Sequence, residues 1–344
     1  RNKGKEEDVF YAYGICADLI SDCSSAGLIR VASLEQIEEL GDLAVKKKAK
    51  KLNVRYISTG TLWKMDEVFQ LSVELYDTQE SKVIWSDRWQ ENWNNLTTIK
   101  ESLSDGLLKA LSTKPNFEKN VDTANTEAYE YYLKGKYKYE KRKNIEDIEI
   151  AQGLLKKASQ LDDNLILAKI HLGWTYDRQG NYEKSINIYE NGLKQAKKYS
   201  DKFSIGGCLR GIGSIYWVKG NYDDAIRFYK SSLKIFEEIG DKNNINQLLS
   251  NIGNAYSKSS SYEKNKDIAL EYQFRSLNIA KEIDDKRSMG HSLREIANVY
   301  TDKTRNSKNR NYNKALDFFS KSEKVFKEIE YEAGVGNARH DRSW

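Results

Sequence analysis

The sequence contains a single proline, Pro115. That excludes Pro-rich linkers and leaves the chain free to run in long helices. Cysteine is scarce: Cys16, Cys23 and Cys208. There is no CxxC pair, and the three histidines (His171, His291, His340) are scattered. The chain therefore lacks the ligand spacing of a structural zinc site, and neither metal nor cofactor is expected. Cys16 and Cys23 stand two turns apart on an expected helix, a span of about 10 Å. A disulfide cannot bridge that, so small buried side chains are the better reading. No run of 18 apolar residues occurs, which leaves no membrane span within the chain, and no signal peptide is visible. Neither sign of charge dominates: 56 Lys and Arg stand against 51 Asp and Glu, a net charge of +5. The densest basic run, Lys46-Lys47-Lys48-Ala49-Lys50-Lys51, is balanced by Glu35, Glu38, Glu39 and Asp42. This is a solvated, patterned surface with no expectation of a nucleic-acid partner.

What is present is periodicity. Residues 9–26 repeat apolar side chains at helical spacing, and Leu28-Ile29-Arg30-Val31-Ala32 reads as a short strand. Residues 34–51 read as helix, interrupted near Gly41-Asp42. Strands are expected at 54–63, 68–75 and 82–89. In the middle one, Phe69, Leu71, Val73 and Leu75 alternate with Gln70, Ser72 and Glu74, the pattern of a half-buried hairpin strand. A helix over 96–111 closes the region, and Thr113-Lys114-Pro115-Asn116 ends it. The order is that of a small α+β domain with helices on one face of an antiparallel sheet. Trp85, Trp89 and Trp93 are expected to pack within it and not to form a ligand cage.

From Asn125 onward the pattern is helical and it repeats. Leu172-Gly173-x-x-Tyr176, Ile212-Gly213-x-x-Tyr216, Ile252-Gly253-x-x-Tyr256 and Ile296-Ala297-x-x-Tyr300 each open a hairpin. Each is followed by a second small residue: Ser185, Ala225, Ala269 and Ala315. The first small residues lie 40, 40 and 44 apart. The last two hairpins carry four and six extra residues, expected in their turns at 263–268 and 303–311. An earlier hairpin uses Leu133 and Gly135, then Ala151, Leu155 and Ala158. Alone, no hairpin could cover its apolar faces, so the stack is an all-α solenoid, expected as a right-handed superhelix of helix hairpins. Residues 331–344 begin a sixth unit and lose the pattern, which reads as a frayed end or a truncation and not as a polar cap. Gly206, Gly207, Gly211 and Gly213 follow no strand, so close helix packing is the reading and not phosphate binding.

Two resemblances follow. The five hairpins over 124–344 resemble the long form of the tetratricopeptide repeat, with Glu238-Ile239-Gly240-Asp241 and Glu282-Ile283-Asp284-Asp285 as linkers. The family's helix-A tryptophan is replaced by Lys169, Leu209, Leu249 and Leu293. Its helix-B aromatic is present as Tyr189, Tyr229 and Phe319 but is Gln273 in the fourth hairpin, which should pack least tightly. Residues 1–115 resemble bacterial TolB-like amino-terminal domains. The carrying motifs are Tyr13-Gly14-Ile15-Cys16-Ala17-Asp18, Leu52-Asn53-Val54-Arg55-Tyr56-Ile57-Ser58-Thr59-Gly60-Thr61 and Val83-Ile84-Trp85-Ser86-Asp87-Arg88. The family's opening strand, with a Pro-Phe pair, is missing here, and residue 1 is Arg; both fit a piece of a longer protein with a domain or membrane anchor upstream. The resemblances imply a signalling or regulatory protein. The usual companions of such domains are class III adenylate or guanylate cyclases, winged-helix regulators or protein kinases, with these residues as the regulatory part. The resemblances supply no catalytic residue, and no enzyme activity is expected.

In such repeats the first helix (A) of each hairpin lines the concave surface. Counting from its small residue, the inward positions are three before, one after and four after. These are Ile170, Trp174 and Asp177; Arg210, Ser214 and Trp217; Ser250, Asn254 and Ser257; Arg294, Asn298 and Thr301. Asn can bond a peptide group through donor and acceptor, and Arg favours carboxylates. The candidate partner-binding residues are Trp174, Asp177, Arg210, Ser214, Trp217, Asn254, Arg294 and Asn298, and the expected partner is a protein or an extended, partly acidic peptide. His171 is expected to be a packing residue. Free cysteines suit the cytoplasm by default; three are too few to decide against the periplasmic side of an anchored protein.

Overall fold

The structure, a computed structural model, describes residues 9–25, 31–32, 37–38, 40–41, 43–52, 54–65, 67–111, 125–259, 262–301 and 311–342. The chain divides into two compact units, residues 1–211 and 212–344. The fold is a small α+β region followed by an all-α solenoid of helix hairpins.

The first unit opens with α1 (Val9–Ser25) and α2 (Val45–Leu52). Strands β1 (Tyr56–Met65), β2 (Val68–Asp77) and β3 (Lys82–Asn92) form an antiparallel sheet in the order β1-β2-β3. The alternation in β2 sets its inner face: Phe69, Leu71, Val73 and Leu75 are all buried. The register places Leu62 opposite Leu71 on one side and Trp89 opposite it on the other, so one face collects the apolar side chains. That face packs on α3 (Leu96–Ala110) through Leu96, Ile99, Leu103 and Leu107, and on α1 through Phe10, Tyr11 and Ile15. A Cβ on Gly106 of α3 would stand 2.6 Å from the Trp85 ring. Trp93 is buried edge-on to Tyr11 and Phe69, with the Lys64 ammonium 4.6 Å from its ring centre. The tryptophan trio is core packing. At the strand ends Asp77, buried, accepts two hydrogen bonds from Arg55.

The expected strand at 28–32 lies for residues 28–30 outside the described residues, and Val31 and Ala32 are not in a strand. The break at 113–116 also lies outside them. Cys23 packs on Leu108 and Val31, whereas Cys16 is exposed and not buried as expected; none of the three cysteines is in a disulfide.

The solenoid runs α4 (Thr126–Glu140), α5 (Ile145–Leu161), α6 (Ile166–Arg178), α7 (Tyr182–Lys198), α8 (Lys202–Val218), α9 (Tyr222–Ile239), α10 (Lys242–Lys258), α11 (Tyr262–Glu282), α12 (Lys286–Thr301), α13 (Tyr312–Glu328) and α14 (Glu332–Arg342). Side-chain caps start these helices where the sequence places Asn or Asp: Asn125, Asn144, Asn181, Asp241, Asp285 and Asn311 accept from main-chain N–H three residues on. Gly240 closes α9 with φ +75°, and Asp284 holds the matching linker position at φ 49°. The core of the α+β region continues into the first hairpin through Tyr129, Leu133, Leu155 and Ala158.

Two expectations change here. The four extra residues of the fourth hairpin do not widen a turn; they lengthen α11, which runs unbroken from Tyr262. Four residues rotate a helix by about 400°, so the apolar stripe keeps its face. Of the tail, residues 332–342 are helical and not frayed. As α14 they bury Val335 and Ala338 against Phe326, and Arg339 pairs with Glu323 at 2.8 Å. The turn at 303–311 lies outside the described residues except for Asn311, which caps α13.

Candidate peptide-binding faces of the repeat helices

Close approach within each hairpin is what frees the remaining face of helix A. In the first unit Tyr189 of α7 is the wedge: its ring meets Gly173 of α6 and, in the next repeat, lies 2.6 Å from where a Gly211 Cβ would stand. Gly207 likewise seats Ile170. The glycine-rich stretch is therefore a packing device. Ile170, counted among the inward positions, is buried by it.

Trp174 and Arg210 come together, with the guanidinium 5.7 Å from the ring centre. Trp174 also touches His171 at 4.4 Å and Tyr139 at 6.2 Å between ring centres. Asp177 is half-buried, and burial pushes its carboxyl up, with Arg178 opposing. The surrounding residues Tyr132, Lys136 and Tyr139 were missed in sequence because the first hairpin is divergent. They are the same three positions counted from Gly135, so the numbering itself was the available signal.

His171 is buried, as expected of a packing residue. Its Nδ1–H donates to the Leu167 carbonyl at 2.9 Å, and Tyr132 meets its ring edge-on. Burial, with Lys136 adding to it, pushes its pKa from 6.5 down to about 3. The unfolded chain thus binds a proton that the folded chain does not over that window. Stability supported by neutral His171 is present above pH 6.5 and lost as pH falls toward 3, at roughly 1.4 kcal/mol per pH unit. Urea titrations at pH 7 and pH 5 should show a smaller loss for His171→Gln than for the wild type.

In the second unit Ser214 receives the Tyr229 hydroxyl at 3.2 Å, and Trp217 is 38% exposed. Arg294 and Asn298 also come together, but through Glu295. Arg294 Nη2 lies 2.8 Å from its carboxylate, Asn298 Nδ2 donates to it at 3.3 Å, and Asp341 lies 3.8 Å from Arg294 Nε. The Arg294 charge is thus met within the fold by Glu295 and Asp341. Asn254 is half-exposed, and its Oδ1 accepts from Gln273 at 2.8 Å. Gln273 is wholly buried where other hairpins carry an aromatic ring, so the slot is filled. Its Oε1 finds no donor among the described residues, a cost of about 1–3 kcal/mol.

Residues 170–202 and 211–238 each match a tetratricopeptide-repeat family model. Two of the hairpins are tetratricopeptide repeats. No curated protein sequence matches the chain. Aspartyl phosphate phosphatase F from Bacillus subtilis is 14% identical over 73% of this chain and 67% of that one, with a TM-score of 0.52. The apo form of RapI is 19% identical over 59% and 72%, at 0.49. YrrB, a tetratricopeptide protein with an unusual peptide-binding site, is 16% identical over 63% and 92%, at 0.40. The likeness is one of fold. Among the described residues no group of three His, Cys, Asp or Glu could hold a metal ion, and no helix is long and apolar enough to cross a membrane.

Proposed function

We propose that the chain is a protein–protein interaction module of a bacterial signalling or regulatory protein, holding an extended peptide or partner segment on the A faces of its tetratricopeptide helices. One observation carries this reading. Along α6, α8, α10 and α12 the positions one and four after the small residue stay partly exposed, Trp217 most of all, while their neighbours on the hairpin side are buried. The exposed set bears Trp174 and Asp177 in the first unit and Ser214, Trp217, Asn254 and Asn298 in the second, with Arg210 and Arg294 beside them. Side chains held by rigid packed helices lose little freedom when a partner docks. Residues 1–115 are assigned as a TolB-like domain and 124–344 as the solenoid. A second reading makes both the regulatory part of a nucleotide cyclase or kinase with its catalytic domain upstream. The motifs from Tyr13 to Arg88 favour it.

The test is selection of a random twelve-residue phage library on the chain. Enriched peptides should bind Trp174→Ala or Asn254→Ala at least tenfold more weakly. Equal binding by both variants, or no enrichment, would remove the assignment. Nucleotide turnover by the chain should be flat under both readings.

A further inference from the structure

In the second unit, helix B reaches through the hairpin to the residue one after the small position of helix A. Tyr229 of α9 donates its hydroxyl to Ser214 Oγ. One hairpin on, Gln273 of α11 does the same work with an amide. Its Nε2 donates to the Ser250 carbonyl at 3.1 Å and to Asn254 Oδ1 at 2.8 Å. In the fifth hairpin Phe319 has no polar atom to offer, and Asn298 turns to Glu295.

The amide arrangement has a fixed polarity. A main-chain carbonyl can only accept, so Ser250 requires the nitrogen of Gln273 on its side. Both Nε2 hydrogens are then used, and the second demands an oxygen from Asn254. The flipped pair would set Gln273 Oε1 against the Ser250 carbonyl oxygen. The buried Oε1 without a donor is the cost of holding this orientation. Asn254 is left with Nδ2 on its other side, where no acceptor among the described residues meets it. A freely rotating Asn offers a ligand either a donor or an acceptor; here Oδ1 is turned to Gln273 and one of its lone pairs is taken, so the side chain offers its Nδ2 donors first.

We propose that Gln273 is a positioning residue that fixes the direction of the Asn254 amide, so that the second unit favours segments presenting an acceptor there, a main-chain carbonyl or a carboxylate, over those presenting a donor. This rests on the peptide-binding reading above and adds its polarity.

Two measurements on the full chain test it. The first needs no ligand: side-chain amide hydrogen exchange by NMR, with resonances assigned through Asn254→Asp and Gln273→Leu. The Gln273 pair should be protected and the Asn254 pair should exchange at least tenfold faster. An Asn254 pair as protected as that of Gln273 overturns the orientation. The second uses the phage-selected peptides as probes. Asn254→Asp is isosteric and keeps the oxygen that Gln273 needs, but it turns the outward atom into an acceptor; affinity should fall roughly tenfold or more. Gln273→Leu fills the slot and removes the orphan oxygen, so Tm should hold or rise while affinity falls severalfold. If Gln273→Leu binds as the wild type does while Asn254→Asp does not, Asn254 reads the ligand without positioning, and the proposal fails with the peptide reading intact. If no peptide is enriched, the peptide reading fails and takes this proposal with it.

Discussion

Tyr189→Ala should destabilise the unit of residues 1–211 by about 3–5 kcal/mol. The ring is buried and is held between glycines of two successive A helices, Gly173 and Gly211. Removing it empties a slot that neither glycine can fill, so the transfer and cavity costs both apply. The loss should appear as a lower urea midpoint in the tyrosine and tryptophan fluorescence of the chain. Gly211→Ala approaches the same contact from the other side. Its Cβ would stand 2.6 Å from the ring, which forces a shift, and overpacking of this kind costs about 1–3 kcal/mol. A Tyr189→Ala variant with an unchanged midpoint would mean that the hairpin stack does not depend on this wedge.

Asp18→Ala should cost a similar amount, about 3–5 kcal/mol, by a different mechanism. Asp18 of α1 is buried, accepts a hydrogen bond from the Tyr129 hydroxyl of α4, and lies 3.3 Å from the ammonium of Lys100 of α3. Lys100 is 2% exposed, and Lys136 approaches the other carboxylate oxygen at 3.5 Å. The variant leaves the Lys100 ammonium buried without this carboxylate. A well-packed apolar pair should do better than the broken one, so Asp18→Leu with Lys100→Met is expected to regain much of the loss. Denaturation of both single variants and the double variant measures the coupling. Additive losses would show that the Asp18 and Lys100 charges do not act as a pair.

The strong periodic signals of the sequence agree with the fold. Alternation in β2 was legible because a two-residue period with one apolar face has a single way to sit on a core. The hairpins were legible because small residues recur with a large partner at fixed spacing. Less legible were features that depend on how a segment meets a neighbour. The extra residues before Ala269 read as a loop, since no local residue distinguishes a longer turn from a longer helix. The tail lost its pattern at Arg342 and Ser343, yet α14 packs through Val335 and Ala338, which a search for the repeat consensus does not weigh. The candidate residues were chosen by counting along helix A. Whether each one is available for a partner does not follow from that count.

The sequence by itself determined which face of each repeat helix is apolar and how often the unit recurs, because amphipathicity and close helix contact are short-range properties of the chain. Only the tertiary structure decided that Arg294 is met by Glu295 and Asp341, that Ile170 is buried, and that Asn254 Oδ1 is taken by Gln273. Those outcomes depend on donors, acceptors and charges brought together from different helices, and the direction of an amide is set by its partner and not by its place in the chain.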